Sequence, residues 1–243
     1  MSTTIDLFHR LEGPSLSHFF GTDELGRDLF LRTLQGSGST LLLALFSGLL
    51  CSILAVPLGA FLCTLPRRIE NLGHRTLDAL SILPPLLLAM IFSVVFTPSL
   101  GGMALVLSLS AVVTMTRLTG ILVRQHYSES YVEGLKALGA SGPRILFSHV
   151  IPGASRPLIS AFLSQIPHIV LAESFLSFLG LGLQAPNVSL GLLAAQGWTA
   201  ISAAPHLFLF PSLTLTVILM AFHLPFHLSI QRGPNLELDR KSF

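Results

Sequence analysis

Charged and apolar residues are segregated along this chain in long blocks. No Asp, Glu, Lys or Arg falls within residues 33–66 or 79–116, and from 158 to 231 the only such residue is Glu173. A bilayer-spanning helix needs about 20 mostly apolar residues, so each block can hold at least one span. The apolar runs predict five helices, at roughly 40–63, 77–96, 103–123, 157–180 and 207–230. Several contain proline (Pro57, Pro84 with Pro85, Pro167, Pro211, Pro225), which membrane helices tolerate where neighbours satisfy the freed carbonyl. The stretch "TPSLGG" at 97–102 reads as a tight turn between two of them. A short interfacial helix is predicted at 194–203, ahead of the last span.

Composition turns these helices into a membrane domain. Of 243 residues, 51% are hydrophobic and 11% charged, against about 25% charged in a soluble domain. So little charge cannot cover a water-facing surface. The net charge of +2 is too small to point to nucleic acid. Cys51 and Cys63 share one apolar run. Their spacing along a helix, about 18 Å, excludes a disulfide, and they read as small buried hydrophobes. Asp6, Glu12, Asp23, Glu24 and Asp28 interrupt the first 30 residues, which therefore do not read as a signal peptide.

Orientation follows from the basic residues. Arg67, Arg68 and Arg75, then Arg117, Arg124, Lys136, Arg144 and Arg156, then Arg232, Arg240 and Lys241 fall on one side of five spans, 11 of the 14 in the chain. That side is predicted to be cytoplasmic. The domains are then an extracytoplasmic segment at 1–39, a transmembrane domain at 40–230 with a polar loop at 124–157, and a cytoplasmic tail at 231–243. The amino terminus lies outside and the carboxyl terminus inside.

The polar loop carries "ESYVEGLKALGASGPRILFSHVIP" at 129–152. Ser130 and Glu133 fit a capping box that starts a helix from Tyr131 to about Leu138. Gly139 supplies the left-handed stop. Ser141-Gly142-Pro143 starts a second short helix, which runs to Pro152. Val132, Leu135 and Leu138 form an apolar stripe too short to hold a helix alone in water. From the residues alone two readings stand: a loop helix lying on the bilayer or on neighbouring spans, or a knob offered to a soluble partner.

The segment "YVEGLKALGASGPRILFSHVIPGASRPLI" resembles the EAA loop of ABC importer permeases, matching at Glu133, Ala137, Leu138, Gly139, His149, Ile151, Pro152 and Pro157. "FFGTDELGRDLFLRTLQGS" at 19–37 and "LAESFLSFLGLGLQAP" at 171–186 resemble two further signatures of the dipeptide/oligopeptide/nickel branch, in its second, C-type permease subunit. The resemblance covers about residues 19–225 and favours the knob. It implies an all-α membrane protein of the type I ABC importer permease kind, with five transmembrane helices: the family's six-helix core without its first span. It implies a non-catalytic subunit in the bacterial cytoplasmic (inner) membrane that pairs with a second, homologous permease. Two ABC ATPase subunits bind ATP and Mg beneath the pair, and an extracytoplasmic binding protein delivers peptides, nickel or a metal–metallophore complex. No cofactor is expected in this chain. Tyr131, Glu133, Gly134, Leu135, Ala137, Leu138 and Gly139 are the residues implied to couple to an ATPase. Gly134-Leu135 stands where the family has Ala-Ala, Gly153 replaces an Asn, and the ending "PFHLSIQRGPNLELD" departs from the usual one.

Other residues carry candidate roles. Glu173 in a span must be paired, neutral or turned to the bundle interior, with Ser177 one turn on. It reads as a carboxyl capping a nearby backbone within the subunit, or, with Ser177 and His168, as part of the translocation path. His223 and His227 share a face at i, i+4 spacing, which suits metal in principle, but they flank Pro225 and read as buried or interfacial histidines. His206 reads as solvated in an outer loop. Asp78 reads as favouring the start of its span, Trp198 as an interface anchor, and the acids of "GTDELGRD" with Arg27 as a cluster bracing the first span. Neither G-x-x-x-x-G-K-[ST] nor H-E-x-x-H nor G-x-S-x-G occurs. A stand-alone secondary transporter or channel would carry polar residues along several spans, and an intramembrane hydrolase would need a nucleophile or metal set that these residues do not assemble.

Overall fold

The computed structural model describes residues 5–96 and 99–231, with side chains described as far as Phe222. The described residues are helical, apart from loops and one isolated bridge between Thr22 and Asp28. Helix α1 spans Leu29–Leu62, starting eleven residues before the predicted position 40. It starts there because the Asp28 carboxylate accepts from the Leu31 N–H at 3.0 Å, a side-chain cap that the apolar run does not reveal. Pro57 is accommodated inside it.

The second predicted helix is broken. Helix α2 (Arg67–Leu80) and helix α3 (Pro85–Val95) meet at 81°. Pro84 and Pro85 together bring no N–H to the helix, and each pushes the residue before it out of helical conformation. Residues 63–77, read as a loop, are therefore mostly α2. Asp78, read as standing at the start of a span, lies near the end of α2 and pairs with Arg117 at 3.0 Å.

Helix α4 (Leu100–Tyr127) is capped by Ser99, whose hydroxyl accepts from Gly102 N at 3.0 Å. The glycines of the predicted turn are thus in its first turn, while Thr97 and Pro98 lie outside the described residues. Helices α1 and α4 pack backbone against backbone at Gly59, where a Cβ would come within 2.9 Å of the Gly120 nitrogen. Short helices α5 (Ser130–Ala137), α6 (Gly142–Ile145) and α7 (Ile151–Gly153) follow, with a π-helical turn at Leu146–Val150. Pro152 does not end this run as expected. Standing in the first turn of α7, where its missing N–H needs no partner, it lets the chain continue to a break at Ala154.

Helix α8 (Ser155–Phe178), helix α9 (Leu190–Thr199) and helix α10 (His206–Gln231) complete the bundle. Helix α9 replaces the interfacial helix predicted at 194–203. Ser189 caps it, accepting from Leu192 N at 3.2 Å, and Leu190, Gly191, Leu193, Ala194 and Gly197 are buried. It packs among α1, α8 and α10 with one face, leaving Gln196, Trp198 and Thr199 exposed. The main core joins Leu43 and Ala44 of α1, Met103 and Leu107 of α4, and Ile166, Ile169 and Val170 of α8.

By length and composition α1, α4 and α8 can each cross a membrane, and the bent α2–α3 pair adds a fourth, broken span if the two helices count as one. The fifth predicted position is occupied by α10, apolar over His206–Phe222. Cys51 and Cys63 are buried and free.

Candidate functional site

The bundle has two polar ends. At one, residues 5–28 fold against α9 and the start of α10. Asp23, buried there, is the hub. Its Oδ2 accepts from Arg27 Nε at 2.7 Å and from Arg32 Nη1 at 2.6 Å, while its Oδ1 accepts from the backbone of Leu25 and Arg27, each at 2.9 Å. Asp28 caps α1 with one oxygen and bonds His18 Nδ1 at 2.8 Å with the other. The charge cluster expected from "GTDELGRD" is present and braces α1. His206, read as solvated, is half-buried. Its Nε2 has no partner among the described residues and sits under Gly21, whose φ of +79° brings the backbone against it. Trp198 is exposed, edge-on to Phe208.

The opposite end is built by α2, the end of α4, and α5–α7. Glu70 of α2, only 3% exposed, pairs with Arg124 of α4 and faces His74 at 3.7 Å. Sequence reasoning missed this pair, because Glu70 becomes inward-facing only once α2 is a helix. Helix α5 sits on this base. Val132 is fully buried among Ala60, Val123, Ile145, Leu146 and Val150, and Leu135 packs against the same cluster. Lys136 stacks over Tyr127, its Nζ 4.6 Å from the ring centre.

The predicted capping box does not form. Glu129, not Ser130, is the cap, and no side chain bonds the first turn. The predicted stop does form. Gly139 has φ +80°, its N–H bonds Lys136 O and the Ala140 N–H bonds Leu135 O, both at 3.0 Å, which is the Schellman arrangement. Leu138, expected to share the stripe of Val132 and Leu135, is instead 85% exposed. Three residues beyond Leu135 and past the last helical residue, it leaves the buried side. Tyr131, Glu133, Gly134, Ala137, Leu138 and Gly139 are all exposed on one short helix and its stop. Partial burial and the nearby Glu129 carboxylate push the Tyr131 phenol up.

Glu173 is fully buried in α8. Its Oε1 accepts from Ser177 at 2.7 Å, and its Oε2 accepts from Thr40 of α1 at 3.1 Å and from Ser174 at 3.3 Å. Thr40 in turn accepts from Leu190 N at 3.3 Å, so the carboxyl ties α1, α8 and the start of α9 together. The one-turn relation to Ser177 is as the spacing predicts, and the carboxyl is bonded within the subunit, but to side-chain hydroxyls and not to the expected backbone.

His168 lies apart from that cluster. It lines a cavity of about 380 Å³ between α3, α4 and α8, together with Pro84, Ser110, Thr114 and Gln165. Gln165 and Thr114 were not singled out in the sequence, although Gln165 and His168, three apart on α8, share a face. His223 and His227 lie outside the residues whose side chains are described, and the tail from 232 lies outside the described residues. Among the described residues no three His, Cys, Asp or Glu gather as metal ligands would.

Comparison with known proteins agrees with this architecture. Residues 55–229 match the family of binding-protein-dependent transport system inner membrane components. The chain is 29% identical over 221 residues to the oligopeptide transport system permease protein OppC of Bacillus subtilis, covering 91% of this chain and 72% of that protein. It is 34% identical over 211 residues to the dipeptide transport system permease protein DppC of the same organism, covering 86% and 66%. Among solved structures, a chain of the inward-facing MetNI methionine ABC transporter superposes with a TM-score of 0.69 at 15% identity, covering 84% of this chain and 96% of that one. The fold is thus that of a type I ABC importer permease. The family match over most of the chain establishes that the protein belongs to the binding-protein-dependent transport system inner membrane components.

Proposed function

We propose that this chain is the membrane-spanning permease subunit of an ATP-driven importer of peptides, and that α5 is where an ATPase subunit docks. The observation that carries this reading is the construction of α5. Val132 and Leu135 fix the helix to the bundle, Gly139 ends it, and Tyr131, Glu133, Gly134, Ala137 and Leu138 face away. An exposed Leu beside an exposed acid on a firmly seated helix suits a groove in a partner, and a rigid seat lets motion of the partner reach α4 through Tyr127 and the Glu70–Arg124 pair. The end bearing α5 is then cytoplasmic, with residues 1–39 outside and the 231–243 tail inside.

In this reading ATP and Mg are bound by two partner ATPases, the path forms against a second permease, and an extracytoplasmic binding protein supplies the cargo. His168 lines the path. Glu173 and Ser177 act behind it, holding α1 and α8 together. Two measurements test the proposal. Purification of the chain in mild detergent should bring down an ATPase, and Glu133→Arg should abolish both its retention and peptide uptake. Undiminished uptake by Glu133→Arg sinks the docking role. Uptake of radiolabelled nickel but not of a labelled dipeptide in a complemented deletion strain sinks the peptide assignment.

A further inference from the structure

The cavity between α3, α4 and α8 lies about halfway along α4 and α8 and at the first turn of α3. Its walls include Leu107, Ser110 and Thr114 of Leu100–Tyr127, and Gln165, His168 and Ala172 of Ser155–Phe178. At that depth a polar side chain facing lipid has no water to satisfy it. Thr114 and His168 are nonetheless exposed and Gln165 is half-buried. None of the three side chains hydrogen-bonds another described residue.

The third wall is the broken span. Pro85 has no N–H to give Ser81 and the chain leaves helical geometry before Pro84, so the carbonyls of Ser81, Ile82 and Leu83 accept no hydrogen bond from the described backbone. Non-helical backbone at membrane depth is tolerated where protein buries it or where it borders a water-filled cavity. Pro84 and Pro85 are exposed and border this one. Three independent features, the unsatisfied side chains, the opened backbone and the mid-span position, therefore coincide.

Their chemistry narrows what fits. No Asp, Glu, Lys or Arg lines the cavity. The Gln165 amide offers donors and an acceptor, the His168 imidazole two ring nitrogens for hydrogen bonding, and the Thr114 hydroxyl both a donor and an acceptor. That alternation of uncharged donors and acceptors complements the N–H and C=O groups of a peptide main chain, while Leu107, Ile169 and Leu171 offer apolar wall to small side chains. We propose that this cavity is a main-chain-recognising subsite for a peptide in transit, reading backbone amides without selecting on charge. The proposal rests on the importer reading above.

The test uses the assembled importer in proteoliposomes, with partner permease, ATPases and binding protein, and trialanine as the probe. In a Cys51→Ala/Cys63→Ala background, Thr114→Cys should react with a charged, membrane-impermeant methanethiosulfonate. Trialanine at ten times its half-saturating level during turnover should slow that reaction about tenfold. Gln165→Leu/His168→Leu, which preserves bulk and removes the hydrogen-bonding groups, should lower trialanine uptake about tenfold. Gln165→Asn/His168→Asn should restore most of it. Reaction of Thr114→Cys with an apolar maleimide but not with the charged reagent places the wall against lipid and overturns the proposal. Labelling unchanged by trialanine, while ATP-driven trialanine uptake continues, overturns it too, as does full uptake by the double Leu variant. Failure of the unaltered complex to take up trialanine overturns the importer reading itself, and this one with it.

Discussion

The two ends of the bundle handle polarity in opposite ways. At the end formed by residues 5–28 and α9, exposed charges surround a network closed on one buried carboxylate. Asp23 gathers two guanidiniums and two backbone N–H groups, and Asp28 divides itself between a helix cap and His18. At the α5 end one buried carboxylate, Glu70, paired with the exposed Arg124, underlies a helix whose Glu133 and Lys136 point outward beside an 85% exposed Leu138. A closed network explains itself as stabilisation of one subunit. An outward face of mixed chemistry on an eight-residue helix does not, because a helix so short gains little on its own. The same contrast recurs inside α8. Glu173 is satisfied by three hydroxyls, while His168, in the same helix, faces a cavity with no described residue bonded to it.

Substitutions at the two ends should therefore differ in kind, and their effects on stability can be ranked. The largest loss is expected from Asp23→Ala, which leaves Arg32, 6% exposed, as a buried charge without its partner. Breaking such a pair costs about 3–5 kcal/mol, to be read as a collapse in the fraction surviving a heat challenge in detergent. Wild-type survival would show that the closed end is not held by its charges. Glu173→Leu comes next, stranding the hydroxyls of Thr40, Ser174 and Ser177 at about 1–3 kcal/mol. Glu173→Gln, which keeps an acceptor oxygen, should lose less in the same assay. At the α5 end Gly139→Ala should cost about 1–2 kcal/mol. The added Cβ meets nothing within 4 Å, so the whole effect comes from the left-handed backbone. Glu133→Arg should change stability by no more than about 0.5 kcal/mol while transport fails. A comparable loss of both would erase the contrast.

Much of this was legible in the sequence, and the misses share a cause. Charge-free blocks located every long apolar helix, Gly139 announced its left-handed turn, and the spacing of Glu173 and Ser177 gave their bond. The misreadings arose where tertiary context decided. Residues 67–77 looked like a loop because Arg67, Arg68 and Arg75 mask an amphipathic helix, and that error reversed the role of Asp78 and hid Glu70. Tandem prolines at 84 and 85 were tolerated on paper by rules suited to single ones. Ser130 fits a capping box, yet the backbone enters the helix one residue earlier. The cavity was the least legible part of the candidate site, because Thr114 and Gln165 gain meaning only when α3, α4 and α8 are brought together.

Docking at α5 is tested most directly by cross-linking. In the assembled importer, built on a Cys51→Ala/Cys63→Ala background, Leu138→Cys should cross-link through a short bifunctional reagent to an ATPase subunit. Phe19→Cys, exposed at the opposite end, should give no such product. Cross-linking of the ATPase to position 19 and not to position 138 would contradict the account.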